Sequence, residues 1–165
     1  MGYEYMARLS RLLGIVLFTF SVAVSAEAPM SAARGQYIYL PVYSHIYQGK
    51  RDKQGKPEMA QLSALVSIRN TDDKRPIRVT SARYFDTQGK MVKDFVAKPQ
   101  TVPPFGTLEL FIERDDSSGG SGANFAITWD ADALTSTPLV EAVHSRSDPR
   151  SFAFITSGRV LKTSD

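Results

Sequence analysis

The sequence predicts an all-β protein: a single immunoglobulin-like β-sandwich of about 7–8 short strands, preceded by a helical signal peptide. Three observations carry this. Apolar and polar residues alternate with period two along most of the chain beyond residue 36. Clusters of Gly, Pro, Asn and Asp punctuate the alternating stretches at short intervals. No long stretch shows the apolar spacing of about 3.6 residues that an amphipathic helix needs.

The first element is the export segment. Arg8 and Arg11 precede the apolar run Leu12–Ala26, which closes on Val24-Ser25-Ala26. A positive start, a short apolar centre and small residues at the end mark residues 1–26 as a secretory signal, with cleavage after Ala26. The run is shorter than the ~20 residues of a spanning helix. The membrane is therefore met only in transit, and the mature chain is expected in the periplasm or secreted. Residues 27–35 are small and polar and read as a flexible lead-in. The sandwich is expected over 36–162.

In the first strand Ile38, Leu40 and Val42 alternate with Tyr37, Tyr39 and Tyr43, and Pro41 confines it to an edge or a bulge. Tyr37, Tyr39 and Tyr43 share a face that is expected to pack under a loop or the other sheet. Gln48–Glu58 reads as a charged loop. Its Lys50, Arg51, Lys53 and Lys56 suit either solvent or an anionic surface. Leu62, Ala64, Val66 and Ile68 form the cleanest alternation in the chain, closed by a turn at Asn70–Asp73. Ile77–Asp86 is a strand with Ile77 and Val79 on one face and Tyr84 on the other. Thr87–Lys90 is a hairpin turn, and Met91–Phe95 returns. Lys98–Pro104 is expected to be irregular because of its prolines. Leu108–Glu113 alternates, Asp115–Gly122 is a loop, and Phe125–Trp129 alternates again. Asp130–Thr137 is expected to make one helical turn, and Val140–His144 and Phe152–Leu161 supply the last strands.

Composition removes several functional classes. The chain has 165 residues, no cysteine and a net charge of +3. Disulfides, Cys-ligated metals and thiol catalysis are excluded. Charge is too evenly balanced for a nucleic-acid partner.

Several phrases then stand together: Tyr39-Leu40-Pro41-Val42-Tyr43-Ser44-His45-Ile46-Tyr47, Ser67-Ile68-Arg69-Asn70-Thr71-Asp72, and Asp115-Asp116-Ser117-Ser118-Gly119-Gly120-Ser121-Gly122-Ala123-Asn124-Phe125. With Ile77–Asp86, Val140–Val143 and Gly158-Arg159, they resemble an uncharacterised bacterial family, the domain of unknown function numbered three-one-two-four, from about Gly35 to Val160. The resemblance implies an exported or lipid-anchored protein and brings no established activity. This chain has no cysteine to carry a lipid.

The candidate chemistry is thin. Gly119–Ala123 partly mimics a nucleophile elbow with Ser121 as nucleophile, but a helix should follow the serine and a strand is expected instead. No GK[ST] follows the glycines, so a phosphate loop is not indicated. Asp115 and Asp116 beside Ser117 and Ser118 offer oxygen ligands without the spacing of a known calcium loop. His45 and His144 are the only imidazoles, and Glu141 and His144 fall on opposite faces of a strand. The expectation is an exported, non-catalytic binding domain with no cofactor and no metal. Its ligand site is expected at Tyr43, Ser44, His45, Tyr47, Asp115, Asp116, Ser121 and Asn124, and its partner is an envelope protein or a small ligand. The alternatives are a hydrolase or metal-dependent enzyme using Asp115, Asp116 and a histidine, and a purely structural module of an envelope assembly.

Overall fold

A computed structural model describes residues 31–147 and 151–164. The signal peptide, its cleavage point and the start of the lead-in fall on residues 1–30 and lie outside the described residues. The described residues form twelve strands and no helix: β1 (Ala32–Pro41), β2 (His45–Arg51), β3 (Pro57–Gln61), β4 (Ser63–Arg69), β5 (Ile77–Phe85), β6 (Met91–Asp94), β7 (Gln100–Val102), β8 (Thr107–Ile112), β9 (Asn124–Ser136), β10 (Leu139–Arg146), β11 (Phe152–Ser157) and β12 (Arg159–Ser164).

A six-stranded sheet runs β12-β1-β9-β5-β6, with β7 also paired to β5. A four-stranded sheet runs β11-β10-β4-β8, and β2 and β3 form a hairpin of their own. Every pairing is antiparallel. The alternation explains the layering, because successive side chains of a strand point to opposite faces. Ala64, Val66, Ile68, Leu110, Ile112, Val140 and Ala142 come from the four-stranded sheet. They share one buried cluster with Ile38, Leu40, Val79, Tyr84, Phe125, Ile127 and Trp129 from the larger sheet. Burying one large side chain of this kind stabilises the fold by about 1.5–3 kcal/mol. The sandwich class follows the pattern. The chain passes from one sheet to the other between β11 and β12, at Gly158.

The structure departs from the sequence reading where a ladder is irregular. Tyr84 was expected opposite Ile77 and Val79, yet all three are buried in the core. Val79 pairs with Trp129 and Ser81 with Thr128, so Thr80 is an extra residue. Such a bulge reverses the inward–outward phase of everything after it. Asp130–Thr137 was expected as a helical turn, but all of it except Thr137 belongs to β9. Opposite it, Ala33 pairs with Thr135 and Gly35 with Asp130, so residues 131–134 bulge from the ladder.

Pro41 was expected to force an edge or a bulge, but β1 is central. The pairing of β1 with β12 ends at Tyr39, so the missing proline N–H costs no bond on that side. Gln48–Glu58 is largely the β2–β3 hairpin rather than a loop, and β7 lies inside the proline-rich stretch expected to be irregular. The tyrosine face is covered only in part: Tyr43 packs against His144 and Phe154 of the four-stranded sheet as expected, whereas Tyr37 is half-buried and Tyr39 exposed. β1 begins at Ala32, and Ala33 is already in the core.

One end of the sandwich is organised by two buried polar side chains. Asn70 Nδ2 donates to the carbonyls of Arg75, Val102 and Pro103 at 2.8–3.1 Å. Asp72 Oδ1 accepts the N–H groups of Lys74 and Arg75, and Oδ2 accepts that of Ser136. Backbone donors from Ser136, Lys74 and Arg75 hold the Asp72 carboxyl at a pKa of about 2, with the Arg75 guanidinium adding to the effect. Asn70→Ala orphans several carbonyls at once. It should lower the unfolding free energy by about 2–3 kcal/mol in urea titration. A loss under about 0.5 kcal/mol would show that the side chain is not the organiser of this end.

Candidate functional site

At the opposite end, three connections far apart in sequence are tied together by backbone bonds. The β1–β2 connection is held to the β8–β9 loop. Val42 N–H donates to Ala123 O at 2.9 Å, and both the N–H and the hydroxyl of Ser44 donate to Gly120 O at 3.1 and 3.2 Å. The β5–β6 turn is held to the same loop. Thr87 N–H and its hydroxyl donate to Gly119 O at 2.9 and 3.1 Å, and Gly122 N–H donates to Thr87 Oγ1 at 3.0 Å. Leu62 N–H closes the set by donating to Ser44 O at 2.9 Å.

Two glycines make this possible. A Cβ on Gly119 would lie 1.8 Å from Tyr84 Oη and 2.7 Å from Ala123 Cβ. Gly120 has φ +81°, a left-handed conformation that side-chain-bearing residues rarely adopt. Tyr84 is fully buried, and burial, with the Asp116 charge adding to it, pushes its phenol up to about 12.

The three connections surround an open depression of roughly 270 Å³ lined by His45, Tyr47, Thr87, Gln88 and residues 117–121. His45 and Tyr47 alternate onto one face of β2, with their rings edge to face at 5.2 Å. Tyr47 is 57% exposed. His45 Nδ1 lies 3.4 Å from Ser44 Oγ, while its Nε2 is shielded from water and has no hydrogen-bond partner.

The structure therefore brings together four of the residues expected at the site: Ser44, which holds the loop, and His45, Tyr47 and Ser121, which line the depression. It does not bring the others there. Tyr43 turns its ring against His144 and Phe154, at 5.6 and 5.9 Å. Asp115 lines a second depression with Arg114 and Ser145, and Asp116 a third with Tyr84, Lys93 and Phe95. Asn124 starts β9 and pairs with Pro41 and Phe85. Thr87 and Gln88 belong to the site, but their sequence signal is only that of a hairpin turn.

The enzymatic alternatives find no geometry in their favour. Asp115, Asp116 and His45 line three different depressions. Among the described residues, no three of His, Asp and Glu gather as metal ligands. Ser121 and His45 share a depression, but no carboxylate lines it to orient the histidine, and a strand rather than a helix follows the loop.

His144 is buried and has a structural role. Its Nε2 accepts the Tyr43 N–H at 3.1 Å, and its ring stacks on Phe154 at 4.7 Å. Nδ1 has no partner of good hydrogen-bond geometry. Burial pulls its pKa down to about 4, and the Ala142 and Phe154 carbonyls oppose that pull. Because the folded value lies below the ordinary histidine value of 6.5, the fold binds fewer protons than the unfolded chain. The stability linked to neutral His144 is complete above pH 6.5 and is lost as pH falls through 4.

Two outcomes follow. Denaturation midpoints should drop between about pH 6.5 and 4 by the equivalent of about 2 kcal/mol, and the drop should shrink in His144→Gln. An unchanged pH profile in the variant would contradict this role. Gly119→Ala should cost at least about 2 kcal/mol, with partial recovery in the Gly119→Ala/Tyr84→Phe pair. A neutral Gly119→Ala would mean that the loop does not pack on Tyr84.

Comparison with curated proteins and with solved structures found no match. One family, described as a protein of unknown function (DUF3124), matches residues 35–161. That span takes in the strands, the Gly-rich loop and the Ser44–Tyr47 segment alike, and the chain belongs to this family.

Proposed function

We propose that this protein is an exported, non-catalytic β-sandwich that binds a ligand or an envelope partner at the end carrying the Gly-rich loop. One observation supports this most. Backbone bonds through Gly119, Gly120 and Thr87 assemble three distant connections, and they leave His45, Tyr47 and Gln88 around an open depression. Recognition loops held by a rigid scaffold are the usual way a sandwich binds. Export is supported by Arg8, Arg11 and the run Leu12–Ala26.

The test is fractionation of expressing cells, followed by affinity capture with the processed protein. The reading expects a periplasmic or secreted chain beginning at Glu27, and a captured partner or ligand lost with Tyr47→Ala. An unprocessed chain in the cytoplasm would contradict export, and equal capture by both baits would contradict the site.

A second reading, a structural module packed into an envelope assembly, is favoured by the outer face of the four-stranded sheet. Ile155, Val143, Leu65 and Phe111 are consecutive cross-strand partners and form an apolar row across all four strands. Ile155 is 59% and Phe111 57% exposed. This reading expects capture to survive Tyr47→Ala and to fail with Phe111→Asp.

A further inference from the structure

We infer that the depression between β2, the β5–β6 turn and the Gly-rich loop takes a neutral saccharide, with the Tyr47 ring as its stacking platform. The inference rests on reading this end of the sandwich as a binding site, and it adds the chemical class of the ligand.

The lining decides the class by exclusion and by fit. His45, Tyr47, Thr87, Gln88 and residues 117–121 line the depression, and none of them is Asp, Glu, Lys or Arg. A phosphorylated or carboxylated ligand would find no cationic side chain there. Two amides of the loop are already engaged. Ser118 N–H is taken by Asp116 Oδ1 at 2.9 Å, and Gly122 N–H by Thr87 Oγ1 at 3.0 Å. A cationic ligand would find no carboxylate. A purely apolar ligand would find one aromatic ring among hydroxyls and an amide.

The lining does offer unused hydrogen-bonding groups of both kinds. No side-chain hydrogen bond among the described residues ties down Gln88, Ser117, Ser118 or Ser121. A sugar presents a ring face of C–H bonds and an equatorial belt of hydroxyls that both donate and accept. An amphipathic tyrosine ring suits the first, and Gln88 and the serines suit the second. The platform is also preorganised. The His45 ring buttresses Tyr47 at 5.2 Å and 74°, and hydrogen bonds from Ser44 and Thr87 fix the facing loop. Preorganisation limits the ordering cost that weakens binding in shallow sites.

The ligand source is either a free neutral oligosaccharide or an insoluble neutral polysaccharide, and the test has an arm for each. Amide spectra of the purified protein would be recorded during titration with neutral tetrasaccharides of glucose, mannose and N-acetylglucosamine. Pelleting with insoluble poly-N-acetylglucosamine, which carries no charge, would be measured in parallel.

The expected result is saturable shifts confined to residues 45–47, 87–88 and 117–121, or specific pelleting. Tyr47→Ala should weaken either at least about tenfold, while Tyr47→Phe retains it. The Trp129 indole signal reports that each variant is folded. No saturable shift and no pelleting, shifts at another face, or equal binding by Tyr47→Ala would overturn the inference. If a captured protein partner still depends on Tyr47 while every saccharide fails, the ligand class falls and the binding-site reading stands.

Discussion

A missing side chain at Gly119 joins the core of this domain to its loops. Tyr84 fills the interior against Phe95 and Phe125, with ring centroids 6.2 and 5.0 Å away. Its hydroxyl occupies the space that any Cβ at residue 119 would need. Only a glycine lets the β8–β9 loop close over that ring. Once closed, the loop presents the Gly119 and Gly120 carbonyls to Thr87 and Ser44. The same dipeptide thus caps one end of the core and gathers the residues around the candidate site. A defect on either side is felt on the other, because a close-packed interior transmits small displacements instead of absorbing them.

The two ends of the sandwich use different chemistry for the same purpose. At the far end, Asn70 and Asp72 place side-chain donors and acceptors on backbone groups that have left the ladders. At the loop end, backbone carbonyls receive backbone and hydroxyl donors, and the larger polar side chains stay free. The first arrangement stabilises connections and leaves little to offer a ligand. The second leaves Gln88 and Tyr47 available. This contrast directs attention to the loop end, although no charged side chain lines its depression.

Much of the fold was legible in the sequence because period-two alternation reports burial directly. Leu62, Val66, Ile68, Ile127 and Trp129 hold apolar positions of that alternation, and all five are buried. The signal fails at bulges. Thr80 reverses the phase of β5, so Tyr84 appears on the wrong face when the strand is read as unbroken. Residues 131–134 disrupt the alternation of β9 and mimic a non-strand segment. The site was half legible. Ser44, His45, Tyr47 and Ser121 stood in distinctive phrases, whereas Thr87 and Gln88 sat in an ordinary hairpin turn. Nothing local reveals that this turn packs beside a loop more than thirty residues away. Asp115 and Asp116 drew attention as carboxylates, but adjacent residues in a turn point to different sides.

The most direct measurement is hydrogen exchange at the amides of Ser44 and Thr87. Both lie outside regular strands, where unbonded amides exchange quickly, yet each donates to a glycine carbonyl of the distant loop. Slow exchange at both, accelerated together by Gly119→Ala while the amides between β4 and β10 keep their protection, is the predicted result. Rapid exchange at either position in the unaltered protein would contradict the account.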